Sequence, residues 1–126
     1  MQKETEIIIG IGSNCQAEKH LALAQSRLRE YFPAICFSSV RQTEPVGFVH
    51  NKSPFSNQLA LLRTTQNVLE IRSALKDIEQ DAGRKPKDKE QEIVKLDLDI
   101  LRVGQETIKA EELSRAYYCE ALNELH

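Results

Sequence analysis

Asp97 and Asp99 stand two residues apart in the run Leu96-Asp97-Leu98-Asp99-Ile100. In a strand alternate side chains share a face, so the two leucines and the isoleucine point one way and both carboxylates the other. Two carboxylates roughly 6 to 7 Å apart at their Cβ atoms can converge on one or two hard cations. In nucleotide-using proteins Mg²⁺ is commonly held by one or two carboxylates together with phosphate oxygens. The same pair can equally be a solvated acidic face, although like charges side by side without a partner are unfavourable.

Phe55 and Asn57 repeat that spacing, which puts an aromatic ring and an amide on one strand face. A flat heteroaromatic ligand can stack on the ring while the amide offers a donor and an acceptor to its edge. A core Phe beside a surface or capping Asn is the commoner use of these residues. Arg84, Lys85, Lys87 and Lys89 crowd one polar stretch that can clamp phosphates or simply be solvated. Gly10-Ile11-Gly12 resembles the start of a nucleotide loop, but Cys15 stands where GxGxxG needs its third glycine and no GKS or GKT follows. The pair reads instead as a tight turn, with Gly12 permitting close backbone approach above the sheet.

The elements that must position these residues are legible in the apolar pattern. The β-branched, uncharged run 7–11 predicts a strand buried on both faces. Leu21, Ala24, Leu28 and Tyr31 lay one stripe along a helix over 17–31, before Pro33. A second strand is expected over 35–41, a Pro- and Gly-punctuated loop over 43–54, and a third strand over 55–64. Asn67 and Glu70 have capping-box spacing ahead of Val68, Ile71, Leu75 and Ile78, which predicts a second helix ending near Gly83. The segment 84–92 has nothing to bury and reads as a mobile surface loop. A fourth strand over 94–103 then turns at Gly104 into a hairpin arm around Thr107 and Ile108. The tail offers Leu113, Ala116, Ala121 and Leu125 as helix contacts. Strand, helix, strand, strand, helix, strand is the order of a ferredoxin-like α+β fold, an antiparallel βαββαβ sheet with helices on one face.

At 126 residues the chain reads as one domain spanning 1–126. With 40% hydrophobic and 29% charged residues it is too apolar for disorder. A net charge of −2 provides no basic excess for nucleic acid or an anionic membrane, which favours a small-molecule partner. The polar start and the short apolar run 7–11 suit neither a signal sequence nor a membrane span, so a cytoplasmic protein is expected. Cys15, Cys36 and Cys119, odd in number and without a CxxC pair, read as small buried or half-buried thiols. The pattern sets no oligomeric state.

Taken in order, Gly12-Ser13-Asn14, the run from Ser38 through Gly47, Phe55-Ser56-Asn57, Ile78-Glu79 with Gly83-Arg84, and Leu96-Asp97-Leu98-Asp99-Ile100 resemble the hydroxymethyldihydropterin pyrophosphokinase family over about residues 6 to 108. The resemblance implies that the pterin hydroxymethyl oxygen attacks the β-phosphorus of ATP and AMP leaves, in folate biosynthesis. It implies that Asp97 and Asp99 hold two Mg²⁺ ions and act in catalysis with Arg84. Thr43, Pro45, Val46, Phe55 and Asn57 would form the pterin pocket; Glu79, Arg84, Lys87, Lys95 and Tyr118 would face the nucleotide. Where the family carries Trp-Gly-Pro-Arg this chain has Gln91-Glu92-Ile93-Val94, and the family's basic and histidine contacts to ATP fall on Glu112 and Tyr117. The sequence given stops at His126, so the resemblance implies a short member lacking part of the ATP-binding C-terminal region. Two expectations follow: a Mg²⁺-dependent pyrophosphokinase, or a catalytically impaired module that binds pterin or nucleotide. A ligand-sensing regulatory domain has only the fold to recommend it.

Overall fold

The computed structural model describes residues 3–45, 47–109 and 115–125. The elements run β1 (Thr5–Ser13), α1 (Ala17–Tyr31), β2 (Cys36–Phe37), β3 (Arg41–Thr43), β4 (Phe55–Thr64), α2 (Val68–Asp81), a 3-10 turn (Pro86–Gln91), β5 (Asp97–Val103), β6 (Glu106–Thr107) and α3 (Ala116–Leu125). The sheet order is β2-β4-β1-β5-β6, with β3 also paired to β4, and every pairing is antiparallel. This is the ferredoxin-like α+β arrangement expected from the sequence.

β1 is the central strand, and its alternate residues feed two cores. Ile7, Ile9 and Ile11 pack with Leu98 and Ile100 of β5 against Leu21, Ala24 and Leu28 of α1 and Ile71, Leu75 and Ile78 of α2. Ile8 packs on the opposite face with Leu59, Leu61, Leu101, Tyr118 and Ala121. The two helices of the βαββαβ unit therefore share one face, and α3 is an addition on the other. Both faces of β1 are dry, which is why its run reads as continuously apolar instead of alternating.

The capping box of α2 forms as its spacing predicts: Asn67 Oδ1 accepts the Glu70 N–H at 2.9 Å and Glu70 Oε1 accepts the Asn67 N–H at 3.1 Å. The strand expected over 35–41 is instead split into β2 and β3, with the pairing register to β4 slipping by one residue between them. Ser38 sits at the slip, where its Oγ accepts the Leu59 N–H at 2.9 Å in place of a backbone carbonyl. The fourth strand begins at Asp97, not 94, because Asn14 ties the backbone of Val94 to the end of β1. The stretch 84–92 is not structureless either. Pro86 fixes φ at the start of the 3-10 turn, and Asp88 Oδ2 accepts the Lys85 N–H at 3.0 Å. Cys15 is half-buried as expected, but Cys36 and Cys119 are exposed. Cys36 lies on a two-residue edge strand and Cys119 on the exposed side of α3.

Ion pairs fix α3 over the sheet. Arg41 of β3 reaches Glu120 at 3.0 Å and Glu124 at 2.8 Å, and Glu124 also accepts from the N–H and hydroxyl of Ser39, each at 2.7 Å. These contacts tie the middle and last turns of the helix to β3 and to the residue Ser39 before it. Leu113, read as a helix contact, lies outside the described residues.

Candidate functional site: a glycine-floored cleft beside two aspartates

The site is built on three adjacent strands. Gly12 of β1 lies opposite Asn57 on one side and Asp97 on the other; Gly10 lies opposite Leu59 and Asp99. Strand alternation brings Phe55, Asn57, Gly10, Gly12, Asp97 and Asp99 to the face that carries α3. Because the middle strand presents only glycine there, the floor between Asn57 and the aspartates is bare backbone. A Cβ on Gly12 would lie 3.7 Å from Asn57 Oδ1 and occupy that floor, and one on Gly10 would meet Leu101 Cδ1 at 2.9 Å and the Tyr118 hydroxyl at 3.4 Å. Gly10 and Gly12 thus lie inside a strand, not in a tight turn, and Gly12 leaves the backbone bare on the cleft side.

Over this floor opens a first cleft of about 290 Å³, lined by Thr43, Phe48, Phe55, Asn57, Asp97 and Asp99 among others. Phe48 and Phe55 face each other with ring centroids 5.5 Å apart. Asn57 Nδ2 donates to Thr43 Oγ1 at 2.8 Å and to the Arg41 carbonyl at 3.3 Å. β3 therefore uses both amide hydrogens, and Oδ1 is the part of Asn57 turned toward the floor. Tyr118 and Tyr117 form a wall from the first turn of α3, and Arg115 is the one basic group among the described lining residues. Pro45 does not line the cleft, and Val46 lies outside the described residues, as does Glu112.

A second cleft, about 360 Å³, opens on the other side of β5 toward α2; Asp97 and Asp99 line both. Arg72, Lys76 and Glu79 reach it from one face of α2, with Arg84 and Lys109 beside them. Glu79 Oε2 accepts the Leu98 N–H at 2.9 Å on the open edge of β5 and pairs with Arg84 at 2.7 Å. Arg84 lies 3.3 Å from Asp97 Oδ1. Burial, and then the neighbouring Asp99 charge, push the Asp97 carboxyl up to about 7 against the opposing pull of Arg84. Burial likewise raises Glu79, with the Leu98 N–H and Arg84 acting against it.

Of the residues singled out in the sequence, Thr43, Phe55, Asn57, Asp97, Asp99 and Tyr118 meet at the first cleft, and Glu79 and Arg84 join the two aspartates at the second. Lys87 and Lys95 line neither. Lys95 Nζ instead donates to the Gly83 carbonyl at 2.9 Å and pairs with Asp88 at 3.4 Å. Arg72, Lys76, Lys109, Arg115 and Phe48 escaped the sequence reading, and Gly10 reads there as part of a turn instead of as the floor. Arg72, Lys76 and Glu79 do carry a signal, since i, i+4 and i+7 share one helix face. Among the described residues no three His, Cys, Asp or Glu side chains gather as a metal cage. A two-carboxylate donor set suits a hard cation that takes its remaining ligands from phosphate and water, and the repulsion raising Asp97 is what such a cation would relieve.

Fold and site together define a ferredoxin-like α+β protein with paired carboxylates at the meeting of two clefts. Residues 8–126 match the family model of 7,8-dihydro-6-hydroxymethylpterin-pyrophosphokinase (HPPK), and the chain belongs to that family, the pterin pyrophosphokinases of folate biosynthesis. The comparison with curated proteins gave no match. Among the described residues no helix is long and apolar enough to cross a membrane.

Proposed function

We propose that this chain transfers the pyrophosphoryl group of ATP to 6-hydroxymethyl-7,8-dihydropterin in a Mg²⁺-dependent reaction. The observation that carries the reading is that Asp97 and Asp99 line both clefts, so groups held in each would meet at the same two carboxylates. The bare floor at Gly10 and Gly12 accepts a flat ring, Phe48 and Phe55 supply stacking surface, and Asn57 Oδ1 accepts from the ring edge. The second cleft offers Arg72, Lys76, Arg84 and Lys109 to a polyanion. Asp97 and Asp99 would hold Mg²⁺, whose chemistry when bound is to neutralise phosphate charge and orient the phosphates. Glu79 and Arg84 keep the aspartates' strand edge in place. The pterin hydroxymethyl oxygen then attacks the β-phosphorus in line and gives up its proton to solvent, the bond from that phosphorus to the oxygen of the α-phosphate breaks, and AMP departs.

A second reading, a module that binds pterin or nucleotide but turns over poorly, is favoured by the contacts of the 84–95 region. Lys95 is tied to Asp88 and Gly83, and Lys85, Lys87 and Lys89 line neither cleft. Calorimetric titration with the pterin, and separately with a non-hydrolysable ATP analogue plus Mg²⁺, tests what both readings share. Binding of each ligand supports the two-cleft assignment, whereas no pterin binding at millimolar concentration, with or without the analogue, removes it.

A further inference from the structure

Three consecutive backbone N–H groups, of Val49, His50 and Asn51, converge on the carboxylate of Glu92, which lies 2.8 Å from the Val49 nitrogen and 3.1 Å from that of Asn51. The same residue's carbonyl accepts from Asn51 Nδ2 and Asn14 Nδ2, each at 2.9 Å. Asn14, only 7% exposed, also holds Val94 through its backbone N–H at 2.9 Å and its Oδ1 at 2.7 Å. The end of β1, the segment 92–94 and the loop 49–51 are thus one hydrogen-bonded unit with Glu92 at its centre. Glu92 stands at φ 56, in the left-handed region where a side chain other than glycine is disfavoured. A glutamate at such a position points to its carboxylate as what the site uses. Phe48, next to the latched amides, packs on Phe55 and lines the first cleft.

We propose that Glu92 is a positioning residue for the first cleft: its carboxylate latches the backbone of 49–51 and so holds Phe48 as the wall facing Phe55. Glu92 touches no ligand and acts through Phe48. The part of this role that concerns ligand affinity rests on the pterin reading of the cleft; the latch itself does not. Hydrogen bonds to an ionised acceptor are about twice as strong as neutral ones, so three on one carboxylate suffice to order a short exposed loop.

Amide hydrogen exchange and ring-to-ring nuclear Overhauser contacts between Phe48 and Phe55, measured by NMR on the full chain, test this in the wild type, Glu92→Gly and Glu92→Gln. Glycine suits φ 56, so Glu92→Gly deletes the carboxylate without disturbing the backbone; Glu92→Gln keeps an acceptor oxygen without the charge. In Glu92→Gly the amides of Val49, His50 and Asn51 should exchange about tenfold faster and the Phe48–Phe55 contacts should fade. The glutamine variant should fall between it and the wild type. The pterin dissociation constant should rise about fivefold in Glu92→Gly, at an unchanged thermal midpoint. Unchanged exchange and ring contacts in Glu92→Gly overturn the latch. Faster exchange with undisturbed ring contacts and pterin affinity overturns the positioning role. If the wild type binds no pterin, the ligand reading fails, while exchange and ring contacts still decide the latch.

Discussion

The carboxylate of Glu79 accepts the backbone N–H of Leu98 at 2.9 Å, and Leu98 is the residue between the two aspartates. Among the described residues no strand pairs that side of β5 until β6 meets Arg102 and Val103, so a helix side chain closes the edge at the point where the site needs it rigid. Glu79→Ala leaves that N–H without its partner and frees Arg84 from its 2.7 Å contact. Stability should fall by about 1 to 2 kcal/mol, read from urea unfolding, and Mg²⁺-dependent nucleotide affinity should fall with it. Glu79→Gln retains an acceptor and should recover most of the stability. Equal stability of Glu79→Ala and wild type would mean that the edge contact is incidental.

The raised Asp97 carboxyl gives a pH dependence with a definite sign. An unfolded Asp ionises near 3.8 and folded Asp97 near 7, so between those values the folded state keeps a proton that the unfolded chain has released. This group's contribution is fully present below about 4 and is lost as pH rises through about 7. Its side chain is 43% exposed, so solvent screening reduces the effect to the order of 1 kcal/mol. In metal-free buffer Asp97→Asn should match wild type at pH 4 and melt higher at pH 8. Added Mg²⁺ with nucleotide should reverse the order at pH 8 by stabilising the wild type alone. A variant that melts lower than wild type at pH 8 without metal would contradict the repulsion argument.

The glycine floor separates binding from stability. At Gly12 an added methyl meets Asn57 Oδ1 at an ordinary 3.7 Å, and the backbone is not in the left-handed region. Gly12→Ala should therefore be neutral or stabilising by up to about 1 kcal/mol, yet weaken pterin binding about tenfold by occupying the floor. Gly10→Ala drives a methyl to 2.9 Å from Leu101 Cδ1 and should cost about 1 to 3 kcal/mol of stability. Thermal melts and pterin titration of the two variants check this; equal effects on stability would contradict the geometry.

The sequence carried most of the frame because its signals are local. β4 comes from the run that follows the Pro- and Gly-punctuated loop and the capping box of α2 from cap spacing, and Asp97, Asp99, Phe55 and Asn57 share a face because a period of two requires it. The split of the second strand was hidden because it depends on the Ser38 hydroxyl meeting Leu59, 21 residues away in sequence. The same is true of the late start of β5, which is set by Asn14 reaching Val94, 80 residues away. Lys95 looked available for phosphate because composition shows charge but not partners, and Lys87 because it shows charge but not placement. Gly10 and Phe48 became site residues only once three strands and a loop were brought together.

The central claim is that Asp97 and Asp99, shared by the two clefts, are where the pterin and the nucleotide meet. AMP release from ATP with 6-hydroxymethyl-7,8-dihydropterin and Mg²⁺, measured for wild type, Asp97→Asn and Asp99→Asn, tests it most directly. The account predicts AMP formation that needs both the pterin and Mg²⁺, and a loss of at least about a hundredfold in each variant, the scale expected when a transition-state charge clamp is removed. Wild-type turnover that survives both substitutions, or no AMP from a wild type that binds both ligands, would contradict it.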